Sequence, residues 1–173
     1  MPGVTAKPAL TIRMARPDDV PTILRLIRGL AEYERLAHLV PVEEASLREH
    51  LFGRRPYCEV LIGELDGRPA GFALFFHNYS TFLGKPGIYL EDLFVLPEDR
   101  GRGLGTALLR TIGRLAVERG CGRVEWAVLD WNEPSIRFYE SLGARAMDEW
   151  TIYRVAGDGI EALASGSAEI AVD

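Results

Sequence analysis

Between residues 98 and 109 the chain reads EDRGRGLGTALL, with three glycines and two arginines in the six positions from Arg100 to Gly105. Glycine inside an ordinary helix costs about 0.5–1 kcal/mol relative to alanine, so Gly101, Gly103 and Gly105 answer to another demand. Two demands qualify: a turn with φ > 0, or a ligand that approaches the main chain more closely than a Cβ allows. The first N–H groups of a helix lack intrahelical partners and carry about half a positive charge. If Leu104 opens such a helix, the backbone of residues 100 to 105 can wrap a phosphate, while Arg100 and Arg102 add fixed charge and forked donors. The G-x-G-x-G spacing departs from the dinucleotide pattern G-x-G-x-x-G, and no G-K-[ST] follows for a triphosphate loop.

Just upstream, YLEDLFV has strand-like alternation but carries Glu91 and Asp92 in its middle. A strand buried on both faces would not hold two carboxylates without a purpose. Plainer readings stand beside these. The glycines can serve a turn made for packing, Glu91 and Asp92 can lie on a solvated sheet edge, and Tyr139 can be a half-buried aromatic on a helix with Ile136 and Leu142.

These residues need elements to position them. ALTIRM (9–14) alternates like a strand, and Val20, Ile23, Leu24, Ile27, Leu30 and Ala31 recur at helical spacing, with Asp18 or Asp19 as the cap. VEEASLREHLF predicts a second helix ending at Gly53, followed by a hairpin of YCEVLIGEL, the turn Asp66-Gly67, and PAGFALFFHNY. A loop holding Gly84, Lys85, Pro86 and Gly87 leads to the strand IYLEDLFVL, which stops at Pro97. Leu104, Leu108, Leu109, Ile112, Leu115 and Ala116 outline an amphipathic helix to Gly120, and RVEWAVLD reads as a strand parallel to the one before the glycines. NEPSIRFYESLGA predicts a helix capped by Asn132, with Pro134 in its first turn and Gly143 past its end. Short strands around ARAM and WTIYRV would complete the sheet, and the weakly patterned GIEALASGSAEIAVD would fray. The expected organisation is a flexible N-terminus (1–9), one domain (10–156) and a C-terminal tail (157–173).

Composition narrows the function. The 173 residues suit one domain, and no apolar run approaches the ~20 residues of a membrane span. The net charge of −5 disfavours broad nucleic-acid binding, so a polyanion site must be local. Cys58 and Cys121 form no CxxC pair and the N-terminus lacks a signal-peptide core, which points to the cytoplasm. His38, His50 and His77 show no metal-ligand spacing, so no metal is expected.

Arg100, Gly103 and Gly105 fit the signature [RQ]-x-x-G-x-[GA], with LFVLPED before it and TALL after it. In this the chain resembles the GNAT superfamily of acyl-CoA-dependent N-acetyltransferases. LRLIRGLAEYE, YLEDLFV, RGRGLG, WNEPSIRFYESLGA and EWTIYR, spanning nearly residues 12 to 154, are similar to the diamine (spermidine/spermine) and thialysine acetyltransferase branch. The resemblance implies an α/β (α+β) fold: a mixed, mostly antiparallel sheet of six to seven strands with a central parallel pair and flanking helices. It implies acetyl-CoA as cofactor, with main-chain groups of Phe94 and Val95 along the pantetheine arm and Arg100, Gly101, Arg102, Gly103, Leu104 and Gly105 around the pyrophosphate. Asn132 and Ser135 would touch the cofactor, Tyr139 would be both a cofactor contact and the general acid, and Glu34, Glu91 and Asp92 would line the amine site. A homodimer is implied as well. Where spermidine-type members carry an acidic residue and a tryptophan, this chain has Ser80 and Phe82, which keeps aromatic bulk against the substrate but loses a charge. That puts a shorter amine or an amino acid such as thialysine or lysine beside a diamine or polyamine as the expected small cationic acceptor.

The chemistry agrees with this resemblance. An alkylammonium of pKa about 10.4 must lose a proton before it attacks a thioester, so a base is required, and Glu91 is the expected acceptor, with Asp92 and Glu34 attracting the cation. A phenol of pKa about 10 can protonate a departing thiolate of pKa about 8.5, which suits Tyr139. Direct transfer in a ternary complex needs no acyl-enzyme. Two alternatives remain open: a non-catalytic acyl-CoA-binding sensor, and a protein or peptide lysine acetyltransferase.

Overall fold

Five of the segments read as strands pair into one sheet, each beside its neighbour in chain order. In the computed structural model, which describes residues 9–165, β1 is Leu10–Met14, β2 Glu59–Leu65, β3 Arg68–Ser80, β4 Lys85–Val95 and β5 Val124–Glu125. The first four strands run antiparallel, and β5 pairs parallel with β4 at Ile88 and Tyr89. Asp66 and Gly67 take φ of 51° and 77° between β2 and β3, the double left-handed turn that matches strand twist.

One compact unit ends at Ala127 and a second begins at Val128. In the first, α1 (Val20–Tyr33) and α2 (Glu44–Phe52) cover one sheet face, where Val20, Ile23 and Leu26 meet Val60, Ile62, Phe72, Leu74 and Phe94. The helix after the glycines, α3 (Leu104–Glu118), covers the other face: a Cβ on Gly63 would lie 2.8 Å from Leu104 Cδ1, and Gly63 points away from Ile62. The second unit contains α4 (Glu133–Ser141) and α5 (Asp158–Ala164).

Several expectations need correction. The sheet has five strands among the described residues, where six to seven were expected. ARAM and WTIYRV form no strand; Met147, Trp150, Ile152 and Tyr153 are exposed, and alternation yields a strand only where one face is buried against a neighbour. RVEWAVLD contributes only Val124–Glu125, because β5 loses its ladder to β4 after Tyr89. Lys85, Pro86 and Gly87, read as loop, pair with Ser80, Tyr79 and Asn78 and open β4. Part of the expected tail is helical, as α5. Residues 1–8 and 166–173 lie outside the described residues.

Asp19 precedes α1 as expected of a cap, but its carboxylate turns back. It accepts two bonds from Arg13 (2.7 and 2.8 Å) and one from the Arg16 N–H (2.7 Å), while Arg13 also donates to Glu64 at 2.9 Å. This ties β1 and β2 to the start of α1, and Arg13 holds the Asp19 carboxyl below the ordinary carboxylate range. A carboxylate so depressed adds stability above its unfolded pKa and loses it as pH falls through the folded value. Asp19→Ala is expected to lower unfolding free energy by about 1–3 kcal/mol at neutral pH, with the difference shrinking in acid. Urea melts at the two pH values check this.

Candidate active site

Glycine conformation explains the sequence around residue 100. Gly101 and Gly103 take φ of 75° and 86°, the left-handed region that costs a residue with a Cβ about 1–2 kcal/mol. A Cβ on either would meet nothing within 4 Å, so backbone conformation requires these glycines and packing does not. Gly103 precedes α3 without any side-chain cap, and Leu104 and Gly105 form the first helical positions. The N–H groups of this helix start therefore receive no capping side chain from Gly103.

The two arginines are already engaged. The Nε of Arg100 donates to the Val95 carbonyl at 3.1 Å, and its guanidinium lies 4.5 Å from the centre of the Tyr33 ring and 5.7 Å from that of Phe94. Arg102 reaches Asp99 at 3.4 Å. Asp99 also accepts from Arg68 at 2.7 and 2.8 Å and is only 1% exposed. No local pattern marks this pair in the sequence, since 31 positions separate Asp99 from Arg68.

A bulge separates the two carboxylates of β4. Leu74 pairs with Asp92 but Phe75 pairs with Leu90, which leaves Glu91 as the extra residue. Glu91 is exposed, whereas Asp92 shares the α1-side face with Phe94 two residues on and is partly buried. Burial first, and then the charges of Glu91 and Glu34, push the Asp92 carboxyl up to about 7. Glu34 closes α1 as its C-cap, and burial raises its carboxyl too. Arg35 follows with φ of 62°, and the Leu36 N–H donates to the Ala31 carbonyl at 2.8 Å, so a left-handed arginine performs the helix stop that glycine usually makes. Cys58 belongs to the same neighbourhood: burial, then Asp92 and Glu91, raise its thiol.

Beyond Tyr89, β4 has no ladder to β5, which leaves that edge of Leu90–Val95 unpaired with β5. Phe94 and Val95 sit on this stretch. Phe82 is not brought to the carboxylates: it is 94% exposed in the turn joining β3 to β4. Ser80, where that turn starts, is six residues from the Asp92 partner Leu74, about 20 Å at ~3.3 Å per residue. Ser80 itself is buried and accepts from the Leu83 N–H at 3.2 Å, closing the turn.

In the second unit, Asn132 caps α4 as expected, its Oδ1 accepting from the Ser135 N–H at 3.4 Å. Tyr139 lies on α4, and Gly143 follows with φ of 91°. Among the described residues no group of three His, Cys, Asp or Glu could hold a metal ion, and no helix is long and apolar enough to cross a membrane.

Known proteins resemble this chain. The chain is 37% identical over 164 residues to a thialysine N-epsilon-acetyltransferase of Mus musculus, covering 88% of this chain and 96% of that protein. It is 36% identical over 197 residues to an L-ornithine N5-acetyltransferase of Arabidopsis thaliana, covering 88% and 86%. Among solved structures, an integron cassette protein from the mobile metagenome of V. cholerae superposes with a TM-score of 0.74 at 24% identity, covering 91% of this chain and 98% of that one, a likeness of fold alone. Residues 25–144 match the acetyltransferase (GNAT) family, a span that includes the carboxylates of β4, the glycine turn and α4. By that match and by relatives above 30% identity along most of its length, the chain is an enzyme of the GNAT acetyltransferase family.

Proposed function

We propose that this protein is an acetyl-CoA-dependent N-acetyltransferase that modifies the primary amine of a short cationic substrate such as thialysine, ornithine or lysine. The observation that carries the proposal is Asp92, a partly buried carboxyl raised to about 7, on the strand that runs into the glycine turn. The relatives named for thialysine and L-ornithine support the substrate class.

The residues present fit acetyl-CoA. Gly101 and Gly103 leave open space where a side chain would stand, and the uncapped start of α3 offers N–H donors to a diphosphate. Acetyl-CoA supplies the acetyl group as an activated thioester. Residues 100 to 105 would hold the diphosphate and main-chain groups of Phe94 and Val95 would flank the pantetheine arm; on α4, Asn132, Ser135 and Tyr139 are the proposed cofactor contacts, and 10–156 is the proposed catalytic domain. Glu34 and Asp92 attract the ammonium. The geometry favours Asp92 over the exposed Glu91 as proton acceptor, because its pKa lies near working pH, where a general base is most effective. Burial first, and then the charges of Glu91 and Glu34, keep that pKa high. Tyr139 protonates the departing thiolate. The raised Cys58 thiol stays protonated, which suits direct transfer in a ternary complex. The protein works as a cytoplasmic homodimer without a metal ion.

Thiol release from acetyl-CoA, followed across thialysine, lysine, ornithine, putrescine, spermidine, spermine, aminoglycosides and a lysine peptide, tests this reading. Turnover is expected on a short amine. CoA binding without turnover on any acceptor would favour a sensor instead, and spermidine as best substrate by a wide margin in kcat/KM would refute the short-amine assignment.

A further inference from the structure

Asp99 presents a problem of charge beside the glycine turn. It is 1% exposed, and a buried carboxylate without a cation costs several kcal/mol. It also stands two residues before Gly101, where a diphosphate would meet a negative charge. Two cations share it unequally. Arg68, the first residue of β3, bonds both oxygens at 2.7 and 2.8 Å, whereas Arg102 reaches one oxygen at 3.4 Å. The backbone holds the carboxylate in place: the Asp99 N–H donates to the Leu96 carbonyl (2.9 Å), and the Leu96 N–H to the Ala70 carbonyl (2.9 Å) of β3. Arg100 is bound to the Val95 carbonyl and laid over Tyr33, which leaves Arg102 as the arginine of the turn that can be released most cheaply.

We infer that Arg68 is a positioning residue for the acyl donor: by satisfying Asp99 it frees Arg102 to turn to the diphosphate. The inference rests on the acetyl-CoA site proposed above. Arg68 stays on Asp99 when Arg102 leaves, so the carboxylate is never buried without a partner. With Arg68 removed, Asp99 binds Arg102 in its place, and the turn presents both a sequestered arginine and a less neutralised acid to the incoming anion.

The test compares two donors, one with the diphosphate and one without. Arg68→Gln is expected to weaken CoA binding by calorimetry about tenfold and to raise the KM for acetyl-CoA similarly with kcat unchanged, the size of one charge-assisted contact. With S-acetylpantetheine, which lacks the diphosphate, kcat/KM should stay at the parent value. Adding Asp99→Asn to Arg68→Gln removes the competing charge and should restore most of the CoA affinity. Unchanged CoA affinity in Arg68→Gln, an equal loss with both donors, or no recovery in the double variant would overturn the inference while leaving the acetyl-CoA site intact. A parent protein that binds no CoA would overturn the site and the inference together.

Discussion

Asp92→Asn is expected to lower kcat/KM for the amine by about 100- to 10,000-fold, the usual contribution of a positioned general base. In the parent enzyme kcat/KM should rise with pH through about 7, where the Asp92 carboxyl ionises, and fall as the free substrate loses its ammonium proton near pKa about 10, since the site binds the cation and Asp92 removes its proton. The variant should lack the rise near 7 and gain activity only toward the amine pKa, where the acceptor arrives already neutral. Glu91→Gln should cost less and move the parent's rise to lower pH, since it removes a like charge that holds Asp92 up. Stability should change in the opposite direction. Because the folded pKa of Asp92 lies above its unfolded value, the folded state binds the extra proton and loses stability as pH climbs from the unfolded value through about 7. Asp92→Asn should therefore melt at higher temperature than the parent at alkaline pH and equally in acid. A variant that loses both activity and stability at alkaline pH would mark Asp92 as a structural acid.

Tyr139→Phe is expected to reduce kcat by about 100-fold or more, again within the range of acid–base catalysis, while leaving CoA affinity within a few-fold of the parent. The phenol acts on the leaving thiolate and contributes to the chemical step, so kcat and kcat/KM should fall together. A thioester whose leaving thiol is more acidic needs less protonation. The deficit of the variant should narrow with such a donor, and an undiminished deficit would assign Tyr139 to positioning.

Much of this was legible in the chain before folding was considered, where local rules apply. Asp66-Gly67, Asn132, Gly143 and the left-handed Gly101 and Gly103 each do what their residue types and spacing predict, because turns and caps are decided within a few residues. Long-range facts were not legible. The adjacency of Glu91 and Asp92 shows that two carboxylates share a strand, but the register against β3 decides which is the bulge and which is buried. Asp99 reads as a surface residue until Arg68 arrives from the neighbouring hairpin. The alternating residues 144–156 carry strand propensity without a strand, since propensity needs a partner edge to act on. Asp19 was legible as a residue at a helix start and illegible as the ligand of Arg13, which lies six positions back on β1.

The most direct test of the account follows the acetyl group itself. Enzyme, acetyl-labelled acetyl-CoA and ornithine or thialysine are mixed in a single turnover and quenched, and amine and protein are analysed by mass spectrometry. One label is expected on the amine nitrogen of the small molecule for each CoA released, with none on the protein at any time. Label appearing first on Cys58 or Cys121, or CoA bound with no labelled amine from any acceptor, would contradict it.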